Sequence, residues 1–192
     1  MGKIKFANPK NPHEGAINTT SRSRGWSRGL SPFFLGPVEL YTHEGVLYTA
    51  ENVENAWQYS KVYPQFGDET GPNEDYWVWA QHGWGKSRAD RYPMGRGAKP
   101  LYSYWDGEIL TYTEARKAIY APLYSRAVEE TEAFQKLKLL YEENDELWLW
   151  DFDVYDFEAE GMTYQDVINC ETKKMGHAFV LAMMLENQRV WE

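Results

Sequence analysis

The chain has 192 residues, enough for one domain with a sizeable core. Its net charge of −9 argues against non-specific binding to polyanions, while nine Trp, fourteen Tyr and eight Phe supply both a core and stacking surfaces. The single cysteine, Cys170, excludes an internal disulfide framework and points to a reducing, cytoplasmic setting; no apolar run is long enough to span a bilayer, so no membrane association is expected.

Residues 1–29 read as a basic, irregular N-terminal arm. They hold Lys3, Lys5, Lys10, Arg22, Arg24 and Arg28 against one acid, Glu14, and residues 7–31 are rich in Asn, Pro, Ser, Arg and Gly. Val38–Tyr41 and Val46–Tyr48 flank a turn ending in Glu44-Gly45, the pattern of a small hairpin. From Thr49 the apolar spacing becomes helical, with Val53, Ala56, Trp57 and Ser60 recurring until Pro64 and Gly67 close the segment. Residues 64–73 read as loop and a short helix is expected around Trp77 and Trp79. Residues 83–108, with five glycines, read as a loop able to line a site. Residues 111–143 read as helix, split or kinked at Pro122. Period-two alternation from Trp148 to Tyr155 predicts a short extended segment, residues 158–170 a loop, and Met175, Phe179, Val180, Met183 and Met184 a last helix over about 171–188. The expected class is a helix-dominated, single-domain α+β fold with a small N-terminal hairpin and a short extended segment.

Three constellations carry chemistry. On a helix, Glu54, Gln58 and Lys61 fall at i, i+4 and i+7 and share a face, setting a carboxylate, an amide and an amine in one row. In Tyr92-Pro93-Met94-Gly95-Arg96-Gly97-Ala98-Lys99-Pro100, glycines flank an arginine with a lysine three residues on, which suits an anion such as phosphate. Asp151, Asp153 and Asp156 crowd the extended segment, where they can orient ribose hydroxyls, activate water or offer oxygen ligands to magnesium, or alternatively protect a sheet edge, and no set of spaced ligands favours the metal. His13, His43, His82 and His177 are scattered without ligand spacing and no glycine-rich phosphate loop is present, so neither a metal nor a cofactor is expected.

The order of these features resembles the NADAR family of YbiA-like N-glycosidases over roughly residues 30–188. Glu54-Asn55-Ala56-Trp57-Gln58-Tyr59-Ser60-Lys61 looks like that family's Glu-His-Tyr-Phe-Gln-Ala-x-Lys helix, with Asn55 in place of the usual His. Leu30-Ser31-Pro32-Phe33 looks like its opening Leu-Ser-Asn-Phe, Met94-Gly95-Arg96-Gly97 like its Gly-Arg loop, and Lys173-Lys174-Met175-Gly176 like its closing Asn-Arg-Leu-Gly. Tyr155-Asp156 matches the start of its Tyr-Asp-x-x-Trp-Gly segment, and residues 64–92 read as an insertion into a NADAR-like domain over 30–192.

The resemblance implies hydrolysis of a ribose–base N-glycosidic bond in a nucleotide-like or ADP-ribosylated substrate. Glu54 would stabilise the cationic sugar or position water, Lys61 would serve as nucleophile or electrostatic partner, and Asp153 would join them as a catalytic residue. Arg96 and Lys99 would hold phosphate, Trp57 and Trp105 would stack on a base, and Gln58 and Asp156 would grip the sugar. Two other readings stand beside it. One is a non-catalytic ADP-ribose or nucleotide-binding module. The other is a nucleic-acid-associated protein acting through residues 22–28, where Arg22, Arg24 and Arg28 surround Trp26.

Overall fold

The computed structural model describes residues 2–192; Met1, where the expected arm begins, lies outside the described residues. About 40% of residues are helical and 19% lie in strands, which makes this an α+β domain in which helix predominates. In chain order come β1 (Lys3–Ala7), β2 (Ile17–Asn18), two 3₁₀ turns at Trp26–Leu30 and Pro32–Phe34, β3 (Val38–His43), β4 (Val46–Ala50), α1 (Val53–Gln58), β5 (Lys61–Val62), β6 (Gly67–Asp68), β7 (Gly71–Pro72) and α2 (Glu74–Trp84). There follow β8 (Tyr102–Trp105), β9 (Glu108–Leu110), α3 (Tyr112–Ala115), a π-helical turn at Arg116–Tyr120, α4 (Ala121–Glu129), α5 (Glu132–Glu143), β10 (Glu146–Trp150), α6 (Tyr164–Asn169) and α7 (His177–Leu185).

The N-terminal segment is not an irregular arm. β1 and β2 both pair parallel with β10, which lies between them, with Lys3 opposite Glu146 and Ile17 opposite Leu149. The count of basic residues hid the buried positions among them: Ile4 and Ala7 are buried, while Lys3 points outward to Glu158 at 3.1 Å. β10 is therefore a central strand, not an edge guarded by charge. Its inward side chains are Leu147 and Leu149, and Asp151 continues that phase into the interior at 4% exposure.

The β3–β4 hairpin forms as expected. Its turn needs two residues at positive φ, which Glu44 (48°) and Gly45 (79°) provide. Asn52 caps α1, its side chain accepting from the Asn55 N–H at 2.8 Å, so the helix begins later than the apolar spacing suggests. It also ends earlier. The Ser60 hydroxyl donates to the Trp57 carbonyl at 2.6 Å, and the chain turns extended so that Lys61 and Val62 pair with Ser103 and Tyr102. Lys61 is a strand residue, not the third rung of a helix.

The long helix over 111–143 is three. Thr111 caps α3 in a capping box, the π-helical turn precedes Pro122 in the first turn of α4, and Thr131 caps α5. At the centre lies α7, which carries no Asp, Glu, Lys or Arg and has Ala178 through Met183 at zero exposure, as befits a helix surrounded on every side. Residues 64–92, read as an insertion, contribute to this same core through Tyr76, Ala80 and Trp84.

No helix among the described residues is long and apolar enough to cross a membrane.

Candidate functional site

The α1 helix presents Glu54, Trp57 and Gln58 to a cavity of about 720 Å³, in the size range of small-molecule sites. All of α1 is buried, so Glu54 reaches the cavity as a carboxyl group in the interior. Gln58 bridges it to Lys61. The Gln58 amide donates through Nε2 to Glu54 Oε1 at 2.9 Å, and Lys61 Nζ donates to Gln58 Oε1 at 3.1 Å. The expected carboxylate–amide–amine row is therefore present, although its last member arrives from β5. The Lys61 ammonium also lies 5.2 Å from the centre of the Trp57 ring.

Burial sets the electrostatics of this row. It pushes the Glu54 carboxyl above the ordinary carboxylate range, against the opposing pull of the Gln58 hydrogen bond and of Lys61, His177 and Arg91. It pushes Lys61 down to about 8, helped by Lys174 and opposed by Glu54. Burial, then the charge of Asp151, raises Asp153, while Lys174, Arg91 and His177 pull it down. Arg91 holds Asp153 loosely, Nη2 to Oδ2 at 3.6 Å.

Opposite α1 the cavity is built where β10 ends and α7 begins. Asp151 Oδ2 accepts from the Ala178 N–H at 3.1 Å, Oδ1 accepts from the Phe152 N–H at 2.7 Å, and His177 Nδ1 stands 3.2 Å from Oδ2. The carboxylate thus caps α7 from another element. This explains why the last helix starts at His177 and not near 171. It also explains Gly176, where a Cβ would meet Asp151 Oδ2 at 2.5 Å. His177 Nε2 donates to the Thr19 carbonyl at 2.8 Å, tying the N-terminal segment to the site, and Thr20 and Ser21 line the cavity beside it.

The π-helical turn places Arg116 and Tyr120 on the cavity as well. Arg116 is almost wholly buried. Its guanidinium donates to the carbonyls of Cys170 (2.7 Å) and Lys173 (2.6 Å), and to those of Val167 and Ile168, fixing the stretch that carries Lys174 and Met175. Tyr120 packs 5.1 Å from Trp57, and Tyr112 lies 6.3 Å from the same ring, so one wall is aromatic. The other wall is the glycine-rich loop. Gly95 (φ 91°) and Gly97 (φ 78°) make its turns, and Gly95, Gly97, Ala98, Lys99 and Pro100 line the cavity.

Asn55 is fully buried and faces away into the loop above the cavity. Its Nδ2 donates to the carbonyls of Lys86 (3.2 Å) and Arg88 (2.9 Å), and its Oδ1 accepts from the Asp90 N–H at 2.7 Å. It pins the segment that delivers Arg91.

Of the residues expected from the sequence, Glu54, Trp57, Gln58, Lys61, Lys99 and Asp153 line the cavity. Three do not. Arg96 is exposed and its guanidinium lies over the Tyr92 ring at 5.2 Å, because the turn at Gly95–Gly97 aims backbone, not the intervening side chain, inward. Trp105 sits on β8 against Tyr41, ring centres 4.9 Å apart, in a separate aromatic cluster. Asp156 is exposed and accepts from the Ala159 N–H at 3.2 Å, holding a surface turn. Sequence reasoning gave no role to Arg91, Arg116, Tyr120, Lys174 or His177. A signal existed for Asp151, which shares the inward phase of Leu147 and Leu149, and for His177, which opens an uncharged apolar run. Among the described residues no group of three or more His, Cys, Asp or Glu side chains could hold a metal ion.

Comparison of the chain with protein-family models, with curated proteins and with solved structures finds no match.

Proposed function

We propose that this cavity hydrolyses the N-glycosidic bond between ribose and a base in a nucleotide-like substrate. The observation that carries the reading is the Glu54–Gln58–Lys61 row, a buried carboxyl group and a lysine pushed down to about 8, joined through one amide beside an aromatic wall. A lysine in that range is partly neutral near pH 8 and so is a competent nucleophile. Its nitrogen gives an electron pair to C1′ as the C1′–base bond breaks with its pair going to the base. The proton shed by the lysine nitrogen goes to the departing base. The N-linked sugar opens to a Schiff base, to which water adds, and cleavage of the carbon–lysine bond returns the free amine and releases ribose as its aldehyde. Glu54 stabilises the positive charge built on the sugar, takes the proton of the attacking water and passes it to the departing lysine nitrogen.

The surroundings suit such a substrate. Trp57 and Tyr120 offer a face for a base, Asp153 offers acceptors for ribose hydroxyls, and Arg91, Lys99 and Lys174 offer cations for phosphate. The resemblance to the NADAR family points to the same chemistry. Incubation of the purified protein with ADP-ribosylated guanosine, riboflavin-pathway intermediates and common nucleotides, followed by chromatography, should show free base from at least one. Folded protein that releases none would overturn the reading, and tight binding without release would make the site a nucleotide-binding module instead.

A further inference from the structure

Tyr120 ends the π-helical turn with its side chain inside the protein, only 7% exposed, and it lines the cavity. Trp57 and Tyr124 pack against its ring, with centres 5.1 and 6.2 Å away, and hold it in one orientation. Among the described residues its hydroxyl has no hydrogen-bond partner, yet it is not sealed from solvent as the unpartnered hydroxyls of Tyr41 and Tyr155 are. The cavity is what it opens on. Tyr124, one helical turn on, shows the contrast: its hydroxyl is spent on the Leu30 carbonyl at 2.6 Å. Burial first, then the nearby Glu54, Asp151, Tyr124 and Asp153, raise Tyr120 well above the ordinary tyrosine range, so the phenol keeps its proton and can donate it to a hydrogen bond.

Asp153 is the complement. Its backbone carbonyl accepts from the Gly176 N–H at 2.8 Å, which fixes the chain beneath the side chain, while its carboxylate has only the loose contact with Arg91 at 3.6 Å. An ionised carboxylate only accepts. A phenol free to donate and a carboxylate free to accept thus share one cavity, near enough to feel each other's charge. The group that satisfies both at a single oxygen is an alcohol. A phosphate dianion has no proton to give the carboxylate, and a base edge places its donors and acceptors on separate atoms. Glu54 fixes which alcohol, because it is the acid that bears most strongly on Tyr120. In the reaction above Glu54 faces the charge built at C1′, and the hydroxyl on the neighbouring carbon is the 2′-hydroxyl. Hydrogen bonds at that position strengthen as a glycosidic bond breaks.

We propose that Tyr120 is a specificity-determining residue: its hydroxyl and the Asp153 carboxylate clamp the 2′-hydroxyl of the substrate, so that the cavity selects ribonucleotides over 2′-deoxyribonucleotides. The proposal rests on the cavity being a nucleotide site. A deoxy ligand leaves both groups buried and unpaired, and for that reason a pocket built around a hydroxyl rejects the analogue that lacks it.

The test uses the full chain with the four common ribonucleoside 5′-monophosphates, each beside its 2′-deoxy counterpart. Calorimetry reads affinity where the ligand stays intact, and chromatography reads kcat/KM where base is released. The wild-type protein should favour the ribose member of a pair. Tyr120→Phe removes the hydroxyl alone and should shrink that preference about 5- to 150-fold, the range for a buried group that loses its partner. Comparison of variant with wild type cancels the difference in intrinsic reactivity of the two sugars. The urea midpoint should stay where it is, since the hydroxyl has no partner in the free protein. Tyr124→Phe is the control: it gives up the bond to Leu30, so it should lower the midpoint and leave the preference intact. Binding of no pair, equal treatment of both members of every pair, an unchanged preference in folded Tyr120→Phe, or an equal change in Tyr124→Phe would each overturn the proposal. Affinity is read without turnover, so the two claims fail separately. A protein that prefers ribonucleotides but releases no base loses the hydrolase reading alone, and one that releases base from both sugars alike loses the clamp alone.

Discussion

Glu54→Gln isolates the charge at the reaction centre from its shape. The substituted side chain has nearly the same volume, and its carbonyl oxygen can still accept from Gln58 Nε2, now at 2.9 Å from a carboxylate oxygen. Exchanging a charged acceptor for a neutral one weakens that bond by about 1 kcal/mol, while removing a buried carboxylate relieves a desolvation cost of similar size. Folding stability should therefore change by no more than about 1 kcal/mol. Turnover should not be spared. Loss of a group aimed at charge that develops in the transition state costs on the order of 10²–10³ in rate, and the loss should appear in kcat with little change in KM. Glu54 also holds the Lys61 pKa up, so the pH at which Lys61 loses its proton should move lower in the variant. Base release measured by chromatography across pH, beside a urea titration, reads all three effects. Wild-type kcat in a folded Glu54→Gln protein would refute the reasoning.

Lys61 predicts a pH dependence of its own: turnover should climb as pH passes through about 8, where the buried ammonium gives up its proton, and Lys61→Met should abolish both the activity and the climb. The same group contributes to stability with a definite sign. The unfolded chain keeps Lys61 protonated up to the usual lysine range of about 10.4. Between about 8 and that value it binds more protons than the folded chain, and stability gains from rising pH. Urea titrations at about pH 8 and about pH 9.5 should show that gain in the wild type and its loss in Lys61→Met. Asp151→Asn removes the carboxylate that caps α7 from another element, and should cost about 2 kcal/mol in the same titration. Asn55→Ala removes three hydrogen bonds that hold residues 86–90, should cost about 3 kcal/mol, and should raise KM more than it lowers kcat because Arg91 loses its support.

The parts of the structure that local pattern controls were readable in the sequence. The hairpin announces itself through Glu44-Gly45, and α2 and the break near Pro122 follow from spacing and backbone chemistry. Only two members of the row Glu54–Gln58–Lys61 follow from helical spacing. Helical periodicity places Gln58 over Glu54, but Lys61 returns to the row because β5 folds back beside β8, a long-range pairing no local window contains. The N-terminal segment misled for a related reason. Its lysines and arginines outnumber its acids, and composition masks the alternation of Lys3, Ile4 and Lys5 that lets β1 join β10. Asp151, His177 and Thr19 are far apart in sequence, so their convergence depends on the parallel sheet and on where α7 starts. Arg96 and Trp105 show the converse error. A residue type suited to phosphate or base says nothing of which way a turn at Gly95–Gly97 or a strand such as β8 will point it.

The central claim is that Lys61 forms a covalent link to the sugar within an N-glycosidase site. Mass spectrometry of the protein after turnover in the presence of cyanoborohydride, which reduces a Schiff base to a stable amine, tests it most directly. The account predicts free base in solution and one sugar-derived adduct on Lys61, with neither in Lys61→Met. Base release with Lys61 unmodified, or undiminished release by the folded Lys61→Met protein, would contradict it.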